Sequence, residues 1–254
     1  MTELCVAHVD DNGAGDVDLL VAGQSSPIVV LTRNKTRIVV LNRSEARNAM
    51  TRDMRRALAA VLADADANDD VDALILAGAA GAFCAGVDIK ESRARPAPMV
   101  RPHPGEALRA FGKPVIAAVD GPCVTGGLEI ALSCDFIIAS ERATFADTHA
   151  RVGLFPAWGM TALLPRAIGV RRARQMMLTA SPIDAGTALQ WGLVNEVVEP
   201  PALLTRCLAL CTAISAVDRR LLTREMALLD EGEAMESAIA AEEAAAARWR
   251  AEKT

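Results

Sequence analysis

Tyrosine is absent from this 254-residue chain, and with 5 Phe and 3 Trp the aromatics reach only 3%. Its core must therefore be built from aliphatic side chains. Lysine is nearly as scarce: only four of the 27 basic residues are Lys, and 32 acidic residues leave a net charge of −5. No basic field exists to hold nucleic acid or anionic lipid. The small arginine clusters, Arg55-Arg56, Arg171-Arg172-Arg174 and Arg219-Arg220, read as solvated helix faces. No apolar run approaches the ~20 residues that span a bilayer, so no membrane partner is expected. Histidine is confined to His8, His103 and His149, which argues against a multi-histidine metal centre. The six Cys include no CxxC pair and read as reduced thiols of a cytosolic protein. Cys207 and Cys211 stand one helical turn apart, and two small core residues explain them better than half a metal site. The acidic N-terminus lacks the basic and apolar regions of an export signal, so a cytoplasmic location is expected. No Walker sequence, G-x-S-x-G elbow or G-x-G-x-x-G motif is found.

What is present is 52% hydrophobic side chains and a mean hydropathy of +0.23, enough for one large core. Residues 1–26, rich in Asp, Gly, Asn and Ser, are expected to form a loosely ordered extension. Two β-branched runs over 28–43 flank Asn34-Lys35 and read as a hairpin. Thr51 can cap a helix to about Asp66, with Met54, Leu58, Val61, Leu62 and Ala65 at helical spacing. Strands follow at 73–78, 114–121 and 136–140, separated by a polar loop over 90–105 and short helices near 106–111 and 127–134. This alternation, with continuously apolar strands, argues an α/β fold. After Pro156 the chain reads as mostly helical, with one strand over 194–198 and a helix capped by Asp184 and ended by Gly192. The core is placed at 27–200 and a C-terminal helical region at 201–254. The last, Ala-rich helix reads as amphipathic surface rather than core.

Two small-residue loops lie just beyond strands, GAFCAGVDIK at 81–90 and GPCVTGGLE at 121–129. There backbone N–H groups can approach a ligand without side-chain obstruction. Gly126 and Gly127 also open a helix, whose first N–H groups point outward. Paired N–H donors of this kind suit a carbonyl oxygen turning into an enolate. A close-packed turn explains either loop equally well. Glu129 tips the balance, because a carboxylate among Leu128, Ile130 and Ala131 is costly unless paired or functional.

The combination of LNRSEARNAM (41–50), GAFCAGVDIK and GPCVTGGLEIALSCDFIIAS (121–140) resembles the crotonase, or enoyl-CoA hydratase/isomerase, superfamily. ATFADTHARVGLFPAWG (143–159) and PIDAGTALQWGLVNEVV (182–198) extend the resemblance over about residues 28–250. It implies a spiral core of repeated ββα turns, followed by a C-terminal helical region that builds homotrimers or dimers of trimers. The implied substrate is an acyl-CoA thioester, with coenzyme A entering as part of the substrate and no separate cofactor or metal. Motif matching puts an oxyanion hole on the N–H groups of Val87 and Gly126. It puts the coenzyme A lining on Glu45, Ala46, Arg47, Ala85, Asp88 and Ile89.

Glu129 matches the first of the two glutamates of hydratases, the one that activates water. His149 occupies the second glutamate's position. As an imidazolium it is able to deliver the proton to the α-carbon; equally, it is a structural residue bonded to Asp147 or to a backbone carbonyl. Asp147 itself would point away, by strand or helix geometry. Trp158 replaces a small residue, and either narrows the acyl pocket or packs on the surface. The resemblance thus implies hydration of a trans-2-enoyl-CoA to a 3-hydroxyacyl-CoA. An isomerase or another lyase of the same fold is the nearer alternative, and a non-catalytic acyl-CoA-binding protein the more distant one.

Overall fold

The computed structural model describes residues 6–9, 16–94, 98–230 and 233–251. β2 (Ile28–Arg33) and β3 (Thr36–Leu41) form the expected antiparallel hairpin, turning at Asn34 with φ 51°. β4 (Ala73–Gly78), β5 (Val115–Val119), β7 (Phe136–Ser140) and β10 (Glu196–Val198) extend it in parallel register. Successive residues of these strands alternate between two cores. Val39, Leu41, Leu74, Leu76, Ala117 and Val119 enter one; Ile38, Val40, Ile75, Ala77, Ile116 and Ala118 enter the other. A strand buried on both faces needs no polar alternation, so these segments are continuous aliphatic runs.

The chain also builds a second sheet that the sequence reading lacks. β6 (Pro122–Val124), β8 (Thr144–Ala146) and β9 (Ile183–Asp184) pair in the order β6-β8-β9. Each passage from β5 to β6 and from β7 to β8 steps from the large sheet to the small one. Cys84 repeats the step after β4 by bridging to Cys123. This is the expected ββα spiral, and its turns stack the loops after β4, β6 and β8 on one another.

Helices cover both faces. α2 (Arg52–Ala67), capped by the Thr51 Oγ1 accepting from Met54 N at 3.2 Å, packs Met54, Leu58 and Leu62 on the first core. α10 (Leu203–Ser215) closes the second with Leu203, Leu204, Cys207 and Cys211. Cys207 and Cys211 are thus core residues, and burial pushes the Cys211 thiol up to about 11. Two readings change. The leading segment adds β1 (Val6–Val9) in parallel to β2, and α1 (Val17–Leu20) ends on the buried Leu20, followed by the buried Val21. The polar loop over 90–105 begins inside a helix, α3 (Ile89–Ala94), and ends at α4 (Pro104–Arg109).

The remaining helices are α5 (Gly126–Leu132), α6 (His149–Val152), α7 (Met160–Ile168), α8 (Val170–Thr179) and α9 (Ala185–Trp191). α11 (Arg219–Asp230) and α12 (Glu233–Ala251) end the chain. α12 is not merely surface: Ala246 is fully buried and Glu242 is 4% exposed, both where the helix packs on α7. Among the described residues no single helix is long and apolar enough to cross a membrane.

Leu58 is fully buried beneath α2. Leu58→Ala should cost about 2–5 kcal/mol through lost transfer energy and the cavity left behind. A thermal or urea unfolding series on parent and variant measures it.

Candidate active site

Three stacked glycines bring the site's loops together. Gly86 has φ +89°, and a Cβ there would lie 2.9 Å from Gly126 N; at Gly127 it would lie 2.1 Å from the Cys84 carbonyl oxygen. Between them, Thr125 is held at φ 57°, ψ −116°, a conformation that strains a β-branched residue. Its amide donates to Ala146 O, and its hydroxyl pairs with the Thr148 hydroxyl at 2.6 Å. The turn before Gly126 is thereby fastened to the turn before His149. The N–H groups of Val87 and Gly126 have no acceptor among the described residues.

Glu129 is 2% exposed on the first turn of α5. Its Oε1 accepts from the amides of Ala157 (3.2 Å), Trp158 (2.7 Å) and Met160 (3.3 Å). Its Oε2 lies 3.5 Å from His149 Nε2. On the ring's other side, Asp147 Oδ1 meets His149 Nδ1 at 2.6 Å and accepts from the His149 amide at 3.1 Å. Asp147 therefore does not point away. β8 ends at Ala146, so strand alternation no longer governs residue 147, and the chain turns its carboxylate under the ring. Burial disfavours the charged imidazole, but the Asp147 hydrogen bond and the Glu129 carboxylate outweigh it and raise His149 to about 9. The histidine is thus a cation at neutral pH, set between two carboxylates.

Val87, Glu129, His149 and Trp158 border one cavity of about 340 Å³, with Met99, Leu154 and Phe155 among its apolar walls. Trp158 is 3% exposed, so it is part of the wall and not a surface residue. Its ring stacks on His103 at 5.9 Å, and a Cβ on Gly126 would touch its Cζ3 at 3.0 Å. His103 Nδ1 accepts from the Glu106 amide, so Nε2 donates to Glu243 at 2.9 Å and the ring is neutral. Burial, only partly offset by Glu243, keeps its pKa low.

The proposed coenzyme A residues lie outside this cavity. Glu45 and Arg47 are exposed on the turn after β3, where the Arg47 carbonyl accepts from Ala85 N at 3.0 Å. Asp88 is occupied: its Oδ2 meets Arg43 Nη1 at 2.6 Å, and its Oδ1 accepts the Glu91 amide at the start of α3. The segments 45–47 and 85–89 are brought together, with Ala46 and Ile89 among them, as a rim rather than as walls.

Three residues were not singled out from sequence. Arg55, read as solvated, is 7% exposed and borders the cavity, whereas Arg56 is solvated as expected. Glu242 and Glu243 of α12 reach Gly159 N and His103 respectively. A helical wheel places Arg55 with Leu58 and Leu62, a usable signal; for Glu242 the hint is Ala246 one turn on.

The spiral of ββα turns with its stacked glycine loops and buried acid–base pair defines the crotonase class of acyl-CoA proteins. A family model described as enoyl-CoA hydratase/isomerase matches residues 32–245, and the chain belongs to that family. It is 34% identical over 198 residues, 77% of this chain and 75% of the relative, to a probable peroxisomal enoyl-CoA hydratase of Arabidopsis thaliana. It is 37% identical to enoyl-CoA hydratase EchA19 of Mycobacterium tuberculosis, covering 74% of each chain. A crystal structure of an enoyl-CoA hydratase from Mycobacterium avium superposes with a TM-score of 0.82 at 40% identity, covering 89% of this chain and 98% of the other.

With three histidines in the chain, an NMR titration can follow His149 directly. Its midpoint, about 9 in the parent, should fall by ~1–3 units in Asp147→Asn. The folded-state value exceeds the unfolded value of ~6.5. The interaction therefore adds stability in full below that pH and loses it as pH rises toward 9. The parent's melting temperature should drop more over that window than that of His149→Gln.

Proposed function

We propose that this protein is an enoyl-CoA hydratase, adding water reversibly to a trans-2-enoyl-CoA to give a 3-hydroxyacyl-CoA. The reading is carried by one observation: Glu129 and a cationic His149 face each other at 3.5 Å on the wall of a cavity that Val87 also borders. Hydration needs a base for the water and an acid for the α-carbon, with pKa values held apart. The free N–H groups of Val87 and Gly126 suit the thioester oxygen as it gains charge. Glu129 takes a proton from water as the oxygen bonds to the β-carbon. His149 Nε2 gives its proton to the α-carbon. The proton on Glu129 then crosses to the neutral His149, which restores both groups for the next turnover. Asp147 keeps the ring oriented and charged throughout. The thioester and the N–H donors supply the electron sink, so the scheme calls on no separate cofactor or metal.

The exposed turns at Glu45–Arg47, against Ala85–Ile89, suit the coenzyme A arm, and Arg47 offers its phosphates a cation. A homotrimeric assembly is supported by large apolar residues left uncovered on the later helices, notably Leu178, Leu228 and Leu229 at 84%, 69% and 85% exposure. Free buried thiols at Cys84, Cys123, Cys207 and Cys211 fit a cytoplasmic setting.

Crotonyl-CoA loses its ultraviolet band on hydration. Glu129→Gln should lower kcat about 10³-fold and His149→Ala about 10²-fold, and kcat/KM of the parent should fall above about pH 9. Full activity in His149→Ala would return the histidine to a structural role. Tight binding of acyl-CoA with no turnover of any enoyl-CoA would make the protein a binding module. Double-bond migration without hydration would make it an isomerase. Light scattering on the purified chain should report about three times the 26.8 kDa protomer mass, or twice that again.

A further inference from the structure

The cavity that holds Glu129 and His149 also contains a cation without a full partner. Arg55 projects from α2 and is 7% exposed. Its Nε donates to the Thr51 carbonyl at 3.3 Å, and its guanidinium carbon lies 6.0 Å from the Trp158 ring centre. The closest carboxylate oxygen recorded for it, Glu91 Oε2, is 3.9 Å from Nη2, beyond hydrogen-bond reach. That same oxygen accepts the Arg52 amide at 2.9 Å. The terminal nitrogens of Arg55 therefore hydrogen-bond no described residue, although both border or approach a cavity built for ligand.

The terminal donors of this guanidinium open onto the cavity, where a ligand carrying the matching acceptor would meet them. Its planar fork matches a carboxylate bidentately, and it sits over the Trp158 ring at cation–π distance. Trp158 is the residue whose amide holds Glu129, so Arg55 stands at the reacting end of the cavity. The phosphates of coenzyme A are separated from the thioester by the whole phosphopantetheine arm and do not suit this position. Arg52 and Arg250 line the same cavity, whose carboxylate at its wall is Glu129. An alkyl chain would leave the terminal donors of Arg55 to water, whereas an acyl chain ending in a carboxylate would meet them.

We infer that Arg55 recognises a carboxylate on the acyl chain, and that the preferred substrates are CoA monothioesters of 2-ene dicarboxylic acids rather than alkyl enoyl-CoAs. This rests on the hydratase reading. The chemistry is unchanged: water's oxygen bonds to the β-carbon, its proton is replaced at the α-carbon, and the distal carboxylate takes no part beyond binding.

The test compares chains of matched length, pent-2-enedioyl-CoA with pent-2-enoyl-CoA and hex-2-enedioyl-CoA with hex-2-enoyl-CoA. In at least one pair kcat/KM should favour the carboxylated member by about tenfold or more. In Arg55→Met the carboxylated-to-alkyl ratio should fall about 100-fold, with Arg55→Lys, which keeps the charge and loses the fork, in between. Equal or better turnover of the alkyl member in both pairs overturns the proposal and leaves the hydratase reading standing. A ratio unmoved by Arg55→Met, with both members slowed together, also overturns it and makes Arg55 a support for Trp158. If no enoyl-CoA is hydrated, the hydratase reading fails separately. Binding then decides: by tryptophan fluorescence the parent should hold glutaryl-CoA about tenfold more tightly than pentanoyl-CoA, and equal affinities would end the inference without any variant.

Discussion

Two buried carboxylates hold the backbone from Ala157 to Thr161, and the Trp158 side of the active-site wall depends on that clamp. Glu129 accepts the amides of residues 157, 158 and 160; Glu242, from the last helix, accepts those of 159 and 161. Each hydrogen bond to a charged acceptor is worth about 1.5–3 kcal/mol, and losing the Glu129 carboxylate would strand three buried donors at once. Burial raises the pKa of Glu242, and the Glu129 charge pushes it the same way against the Thr161 and Gly159 donors. The two acids therefore repel while gripping alternate amides of one segment. Arg109 lies beside them, donating to the Ser133 hydroxyl and the Trp158 carbonyl, and its charge offsets part of theirs.

This clamp gives Trp158 a fixed backbone at both its amide and its carbonyl. The ring is then confined by His103 on one contact and Arg55 on another, with Gly126 close enough that even a methyl group there would crowd it. The α12 helix takes part twice, through Glu242 below and through Glu243, which Arg101 and His103 hold down to about 2. The C-terminal helix is thus part of the catalytic scaffold, although its sequence is nearly half alanine and its charged residues resemble a solvated face.

Most of the large sheet was legible because its central strands are continuous aliphatic runs and the hairpin turns at Asn34, whereas β1, four residues with a histidine among them, gave no such run. Thr51, Asp184 and Gly192 marked helix ends for local reasons that tertiary structure did not override. The small sheet was not legible, since strands of two or three residues carry no period. At the site, the glycine loops and Glu129 could be read because small residues and a carboxylate among aliphatics are locally anomalous. Asp147 could not, because the turn that swings it under His149 begins where strand geometry stops. Arg55 and Arg56 show the same limit in a helix: neighbours in sequence lie about 100° apart, so one is buried and the other solvated.

The acidic surplus of the chain says little about the charge its ligand meets. At physiological salt, exposed charges are screened over about 8 Å, whereas groups inside a cavity act through a medium of lower dielectric. Of the buried groups that border the cavity, Arg55 and a protonated His149 stand against the one carboxylate of Glu129. Asp147 lies behind the histidine and is spent in keeping it charged. A protein of net charge −5 thus presents a positive interior to an anionic thioester. That field also favours the enolate, because the same cations that attract the ligand stand near the charge that develops on it. Selection among acyl chains then falls to Arg55, the buried cation set over the Trp158 ring.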